Sequence, residues 1–476
     1  MVDPNLNSIK SKKSLILAGG GMRVAYQAGV LVALEETGIQ FDHVDGTSGG
    51  IFNAGMLASG WKPKEIAEKW RTLKLSGFMS ASSAKSYLKP FKMQGFADAD
   101  NIRKKVFTHL GISISAINKQ NKFTSTFNVS NFSSKTVEAI PSTNVTEDHL
   151  IAGVSLPIFM PAIQIGGTWY TDAVWVKDAN LMEAVRQGSK ELWLVWAIGN
   201  SPTYLGGAFN QYVHMIEMSA NGALMEEYNQ IKLTNQLNKL SGNPSDLDDI
   251  KIFVIKSEIP LPLDPDFFFN KINAKELINM GYAQAKKYLS KIPPNGEVMD
   301  GSATKNREPE YIYSMRAVFS GKTNNQSFPK MLKYSLYFRF AEFSENNKLE
   351  VYSSLKLAGG NPEISGFDHT STTSKSINGN NLEIKSAILI DGKAHTIFVT
   401  TKLTHPIEIL MGLNFKQLNF KMWDENDKLI FQTTLFQSIK DRVMAVYYSS
   451  LQTTFEKKIG LKKRFSTLKN FINYGF

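Results

Sequence analysis

The segment Asp45-Gly46-Thr47-Ser48-Gly49-Gly50 constrains this chain more tightly than any other, because it sets a serine in G-x-S-x-G directly behind a short apolar strand, Phe41 to Val44. A strand that turns sharply into a helix crowds its own backbone, so the positions two before and two after the serine must be very small. Gly46 and Gly50 meet that demand. The pattern predicts a helix from Gly49 to about Ser59, with the Ser48 hydroxyl projecting from the turn and the first N–H groups of the helix beside it. The small residues of Ile51-Phe52-Asn53-Ala54-Gly55-Met56-Leu57-Ala58 suit a helix packed closely under a sheet edge. In a chain with 34 glycines the same pentapeptide also fits an ordinary turn serine, and the motif alone does not choose.

A second glycine cluster bears on the choice. Leu15-Ile16-Leu17-Ala18 reads as a buried strand running into Gly19-Gly20-Gly21-Met22-Arg23, followed by a helix from about Val24 to Glu36. Successive glycines at a strand-to-helix turn expose N–H groups in a concavity that suits an anion. A nucleotide-phosphate loop fits poorly: Val24 stands where G-x-G-x-x-G needs its third glycine, and no Gly-Lys-Ser/Thr follows. A flexible turn is the plain reading. An oxyanion-binding loop serving Ser48 explains more, since both loops would lie at the carboxyl ends of neighbouring parallel strands, where open α/β sheets place their sites.

A serine nucleophile needs a proton acceptor, most often histidine. None of the seven histidines (His43, His109, His149, His214, His369, His395, His405) lies in a context that marks it, and His43 is too near Ser48 in sequence to reach around the turn. A carboxylate stands out instead. In Trp169-Tyr170-Thr171-Asp172-Ala173-Val174 the aspartate follows an aromatic strand that begins at a Gly166-Gly167 turn, and so is not on a solvated helix face.

Together these pieces resemble the patatin-like phospholipase family, whose pattern is a G-G-G-x-[R/K]-G loop, a G-x-S-x-G elbow and a D-G-[A/G] aspartate, in that order. The resemblance extends through Ala152 to Pro161, the segment before the aspartate strand, and through Asn180 to Val185 and Glu191 to Val195 after it. It reaches a late helix at Ala274 to Tyr282 and covers about residues 12 to 292. It implies a Ser48–Asp172 catalytic dyad, an oxyanion hole drawn from Gly19, Gly20, Gly21, Met22, Arg23 and Gly49, and a lipid ester substrate hydrolysed through an acyl-enzyme without metal or cofactor. Two positions depart from the pattern: Val24 stands for the last glycine of the loop and Ala173 for the glycine after the aspartate. Arg23 has two readings, binding a lipid phosphate or pinning its own loop. The function class opposed to a lipid acyl hydrolase is a weakly active or inactive lipid-binding or scaffolding protein on the same fold.

The expected architecture is α/β, a patatin-like open sheet with helices on both faces over residues 1–292. A turn-rich linker, 293–309, leads to a smaller antiparallel all-β domain, sandwich or barrel, at 310–440, and a basic helical tail at 441–476. Seven alternating β-branched and aromatic runs support the second domain: 311–319, 332–340, 348–357, 382–390, 396–402, 415–423 and 428–436. The net charge of +11 is concentrated late, with 22 Lys or Arg against 14 Asp or Glu in residues 310–476. Lys457, Lys458, Lys462, Lys463, Arg464 and Lys469 edge an apolar stripe of Phe455, Ile459, Phe465, Leu468 and Ile472. That pattern fits an anionic membrane surface, and equally a helix packed on the β domain with solvated lysines. No nucleic-acid-binding motif explains the basic charge.

The chain contains no cysteine, and Leu15 to Ala18 is too short an apolar core for a secretory signal. No stretch approaches the roughly 18 apolar residues that span a bilayer. The expected setting is cytoplasmic with peripheral membrane contact; oligomeric state has no signature.

Overall fold

The computed structural model describes residues 11–74, 78, 99–199, 204, 206–241, 249–262, 272–323, 331–345, 347–358, 364–368, 381–390, 393–402, 417–448, 450–453 and 466. They fall into two compact units. One comprises Met1–Ser201, Gly207–Asp264 and Gln284–Asn306; the other comprises Pro202–Gly206, Pro265–Ala283 and Arg307–Phe476. The basic tail residues from Lys457 to Lys469 lie outside the described set.

The first unit is a mixed α/β sheet. Its strands are β1 (Lys13–Leu17), β2 (His43–Thr47), β3 (Thr124–Asn131), β4 (Thr136–Pro141), β5 (Ile163–Ile165), β6 (Thr168–Asp172), β7 (Glu191–Trp196) and β8 (Lys251–Lys256). They run in the order β5-β6-β3-β2-β1-β7-β8, with β4 on β3. The central strands β3, β2, β1, β7 and β8 are mutually parallel. Leu15 to Leu17 and Leu192 to Trp196 are buried without alternation, as expected of parallel strands covered on both faces. One face packs Ile16, Leu192, Leu194 and Val254 against helices Leu181–Arg186 and Ala208–Ser241, which supply Leu181, Ala184, Leu224 and Tyr228.

Two local differences from the sequence reading matter for the site. The helix expected from Val24 begins at Ala25 as α1 (Ala25–Glu36), after a 3₁₀ turn at Gly21–Val24. The strand expected at Phe41 to Val44 is displaced to His43–Thr47, because parallel pairing with β1 and β3 carries it through Gly46 to the serine itself. The helix after the serine is α2 (Gly50–Ala58).

The partners of β3 explain where the aspartate strand goes. Residues 124–128 of β3 pair with β2 and residues 126–131 with β4, so β2 ends before β3 does. Strand β6 pairs antiparallel with residues 129–131, on the edge that β2 leaves open. Its last residue, Asp172, is therefore delivered just past the end of β2, where Ser48 sits.

The second unit is antiparallel and all-β: β9 (Tyr311–Lys322), β10 (Met331–Glu342), β11 (Lys348–Ala358), β12 (Ile364–Asp368), β13 (Asn381–Ile390), β14 (Lys393–Lys402), β15 (Gln417–Trp423), β16 (Leu429–Phe436) and β17 (Ser450–Thr453). Successive strands pair from β9 to β16, and β16 returns to β9 at Phe436 and Ser320, closing a near-barrel. Strand β17 takes up the other part of that edge, at Tyr311 to Ser314. The seven expected runs are all strands; β12 and β17 are additions. Alternation fills the interior with Met315, Ala317, Phe319, Leu336, Phe338, Val351, Ile397, Phe420 and Leu435.

On the outward side of β9 to β11, Arg316, Tyr337, Arg339 and Tyr352 are buried as well. Helix Ala274–Leu289 contributes Glu276, whose two oxygens are held by Arg316 Nε and, at 2.6 Å, Arg316 Nη2. Asn279 Nδ2 donates to the Ser353 carbonyl at 2.8 Å. Removing one partner of a buried ion pair strands the other charge, which costs about 3–5 kcal/mol. Glu276→Ala should lower the unfolding free energy of this unit by that amount, and Glu276→Ala combined with Arg316→Met should recover part of it. Urea unfolding followed by near-UV circular dichroism measures both.

Candidate active site

Ser48 occupies the left-handed region, φ 50°, which a residue with a side chain adopts only when its surroundings enforce it. The enforcement is steric. A Cβ on Gly50 would overlap the Leu17 carbonyl oxygen and stand 2.8 Å from that of Ala18; one on Gly46 would stand 2.7 Å from Ala54 Cβ. The start of α2 is thus pressed directly onto β1, and the turn between β2 and α2 has no freedom to relax.

The Ser48 hydroxyl donates to Asp172 Oδ2 at 2.6 Å. Both side chains are buried, Ser48 retaining 7% of its surface and Asp172 1%. The other carboxylate oxygen of Asp172 accepts the Val174 N–H at 2.9 Å. Burial pushes Asp172 up to about 7, with the Ser48 hydroxyl and the Val174 N–H acting in the opposite sense. A carboxylate poised there is a far better proton acceptor at neutral pH than a solvated aspartate.

Ala173, one of the two departures from the family pattern, does not adopt a positive φ; it opens a 3₁₀ turn at Ala173–Trp175. The conformational freedom of glycine is not needed there. Val24, the other departure, has ordinary helical angles and packs its side chain against Gly49.

The glycine loop meets the elbow closely. A Cβ on Gly49 would lie 2.7 Å from the Gly21 carbonyl oxygen, and one on Gly19 would lie 2.7 Å from Ser48 Cβ. Gly20 (φ 143°) and Gly21 (φ 56°) turn the backbone as only glycine does readily. Among the expected oxyanion donors, the Gly19 N–H is taken by the Asp178 carbonyl at 3.3 Å and the Arg23 N–H by the Gly20 carbonyl at 3.1 Å. No backbone bond among the described residues ties down the N–H groups of Gly20, Gly21 or Gly49. Arg23 Nε also donates to the Gly20 carbonyl at 3.1 Å, so this arginine pins its own loop.

Two polar networks that sequence reasoning missed hold these pieces in register. Gln27 Nε2 donates to the Ala18 carbonyl at 2.5 Å; Asn53 Nδ2 donates to the Val24 carbonyl and to Gln27 Oε1, each at 2.9 Å; Trp70 Nε1 donates to Asn53 Oδ1 at 2.7 Å. They lock the glycine loop to α2. Under the aspartate, Asn128 Nδ2 donates to Asp45 Oδ1 at 2.7 Å and to Thr47 Oγ1 at 2.9 Å, and its carbonyl oxygen accepts from Asn180 Nδ2 at 2.8 Å. That chain ties β2 and β3 to the loop that follows Asp172. A lone polar residue in an otherwise apolar helix, Gln27 in α1 and Asn53 in α2, was the available signal, but the partners lie far off in sequence.

Asp178 was also missed. It is fully buried, and neither carboxyl oxygen has a hydrogen-bond partner. A Cβ on Gly19 would overlap its Oδ1, so this second carboxyl adjoins the same glycine that touches Ser48. Burial, and then the charge of Asp172, hold it well above the usual carboxylate range, while Arg23 and the Gly19 N–H act the other way. The described histidines of this unit are bonded elsewhere. His43 is bonded to Ser14 and Thr126, each at 2.9 Å, and burial lowers it to about 4. His109 and His149 bond Thr72 and Thr146, and His214 faces Glu217. Among the described residues no three His, Asp or Glu side chains converge on a metal-sized site. No described helix is long and apolar enough to cross a membrane.

The close approach at Gly50 makes a direct prediction. Gly50→Ala forces α2 off β1 and should cost about 1–3 kcal/mol by overpacking, read as a fall in thermal midpoint with the sheet still formed.

Residues 15–185 match the family profile described as patatin-like phospholipase. Lysophospholipase NTE1 of Phaeosphaeria nodorum is 22% identical over 296 residues, covering 59% of this chain and 18% of that protein. Lysophospholipase NTE1 of Lodderomyces elongisporus is 25% identical over 199 residues, covering 38% and 12%. The chain spans less than a fifth of the length of these curated relatives. The crystal structure of VipD from Legionella pneumophila aligns with a TM-score of 0.33 and 12% identity, over 59% of this chain and 67% of that one. The segment that carries the elbow, the glycine loop and the aspartate strand, residues 15–185, belongs to the patatin-like phospholipase family.

Proposed function

We propose that this domain is a serine-dependent lipid acyl hydrolase of the phospholipase A type, cleaving carboxylic esters of phospholipids or related lipids through a Ser48–Asp172 dyad. The observation that carries the reading is the buried hydrogen bond from the Ser48 hydroxyl to Asp172 at 2.6 Å. The relatives named lysophospholipase support a lipid ester as substrate.

The chemistry follows from the donors and acceptors in place. Ser48 Oγ attacks the ester carbonyl while its proton passes to Asp172. The carbonyl oxygen becomes an oxyanion within reach of the N–H groups of Gly20, Gly21 and Gly49. Collapse of the tetrahedral adduct breaks the bond to the alkoxy oxygen, and Asp172 returns the proton to the departing alcohol. Water, deprotonated by Asp172, then attacks the acyl-serine, releasing the fatty acid and restoring the Ser48 proton.

Turnover of a lysophospholipid and of a short-chain ester should fall by at least about 10³-fold in Ser48→Ala and in Asp172→Asn, with both proteins folded by circular dichroism. Fluorophosphonate labelling should vanish in Ser48→Ala. Retained turnover in Asp172→Asn would remove the dyad.

The elevated Asp172 carboxyl fixes the pH dependence. The base acts as the anion, so kcat/KM should drop about tenfold per pH unit below a midpoint near 7. Stability runs the opposite way. A carboxyl raised on folding contributes stability that is fully present below its ordinary pKa and lost as pH rises through about 7. Asp172→Asn should therefore raise the thermal midpoint more at pH 8 than at pH 5, and equal shifts at both would contradict the burial argument.

A further inference from the structure

The edge of the sheet beside Asp172 exposes large apolar side chains that a water-facing surface does not call for. Phe132 retains 40% of its surface, Ile158 57% and Trp169 44%, and Phe159 adds a further exposed face. They form one rim: the Phe132 N–H donates to the Trp169 carbonyl at 2.9 Å, joining the end of β3 to the start of β6. Together with Met160 and Pro161, three of them (Phe132, Ile158 and Trp169) line a cavity of about 280 Å³ whose wall includes Thr171, the neighbour of Asp172.

Ile158 is the sharpest anomaly. It is β-branched and has a φ of 76°, a conformation that such residues almost never adopt. The backbone is strained and the side chain it presents is more than half exposed, so two unfavourable terms meet at one residue. Water alone rewards neither. Strain of this kind persists where surrounding structure over-determines it, and here the surroundings are tied to the site. The Ser155 carbonyl accepts both the Asp172 N–H at 3.1 Å and the Thr171 hydroxyl at 2.7 Å. Tyr212 donates to the Pro157 carbonyl at 3.0 Å and packs edge-on against Phe159 and Trp175.

The chemistry of the rim selects its occupant. Phe132 and Trp169 project at strand ends, where aromatic rings can seat among lipid headgroups. Lys135 stands 5.3 Å from the centroid of Phe132, so a cation adjoins the rim, as suits a surface that carries phosphates. Phe209, Met215 and Met218 are exposed as well, on the helix Ala208–Ser241 that carries Tyr212.

We propose that the rim formed by Phe132, Ile158, Phe159 and Trp169 docks this protein on a phospholipid surface, with Ile158 held outward as an anchor. The inference rests on the reading of the site as a lipid hydrolase, yet its test does not require turnover. Ser48→Ala protein should float with phosphatidylcholine vesicles and remain bound in about 0.5 M salt, where surface charges are screened. Ile158→Gly and Phe132→Ser/Trp169→Ser should each reduce flotation by about tenfold, the effect of withdrawing one or two apolar side chains from lipid. Ile158→Gly should meanwhile keep or raise the thermal midpoint, because it relieves the strained backbone.

Failure of the Ser48→Ala protein to float with phosphatidylcholine would overturn the proposal. So would binding confined to anionic vesicles, released by salt and indifferent to both rim variants, which would assign docking to the basic residues from Lys457 to Lys469. Flotation that depends on the rim, in a wild type that hydrolyses no ester, upholds the docking surface and removes the hydrolase reading. Hydrolysis of a soluble ester without flotation does the reverse.

Discussion

Contact between the first residue of α2 and the carbonyls of β1 is the constraint on which the site depends. With no side chain at Gly50, the helix sits against Leu17 and Ala18, and the preceding residue pair has only one way to turn. Ser48 is thereby held at φ 50°, and its hydroxyl leaves the sheet in the direction of the next strand end. What waits there is set by pairing. Because β2 stops at Thr47 while β3 continues to Asn131, β6 finds an open edge and ends with Asp172 against the serine. The hydrogen bond between them follows from backbone packing on one side and strand length on the other. Neither side chain has to search for its partner.

Fixed geometry of this kind needs polar cross-links, since loops over a sheet edge have few apolar contacts to hold them. Gln27 and Asn53 tie the glycine loop to α2, while Asn128 and Asn180 tie the aspartate loop to β2 and β3. Each amide satisfies two or more groups that would otherwise be buried unpaired, which is where hydrogen bonds matter most. The outward face of the barrel uses the same principle with charge: Arg316 and Glu276 are buried together, two guanidinium nitrogens donating to the two carboxylate oxygens.

The sequence made the elbow, the glycine loop and the aspartate strand legible because each rests on local rules: small residues at fixed spacing and an apolar run before them. The seven long strands of the second unit were legible by alternation. What could not be read was anything that depends on distant pairing. Strand β2 was placed too early because Gly46 has no strand preference of its own and is held by neighbours on both sides. Strands β12 and β17 are short, and β17 exists only because β9 is long enough to serve β16 at one end and another partner at the other. Barrel and sandwich share one alternation pattern, so closure through Ser320 and Phe436 had no sequence signature. Asp178 hid for the same reason: a lone aspartate in a loop looks solvated until Gly19 is seen against it.

The two carboxyls beside the serine also settle where its negative charge resides. Asp172 and Asp178 are both buried, burial raises both carboxyls, and the charge of Asp172 raises Asp178 further, so Asp172 is the one that ionises first. The location of the charge is decided by donors. Asp172 receives the Ser48 hydroxyl and the Val174 N–H, both directed at its oxygens, whereas Asp178 has only the more distant pull of Arg23 and the Gly19 N–H. The anion is therefore stabilised at Asp172 and the proton retained at Asp178. A neutral Asp178 can fill the space beneath Gly19 without opposing the charge that develops on the substrate oxygen. Replacing it by a second anion would set a like charge beside the oxyanion loop and blunt the field of the glycine N–H groups. In the proposed reaction a protonated Asp178 leaves the Ser48–Asp172 pair as the seat of negative charge beside the glycine loop, in keeping with a serine activated by a carboxylate.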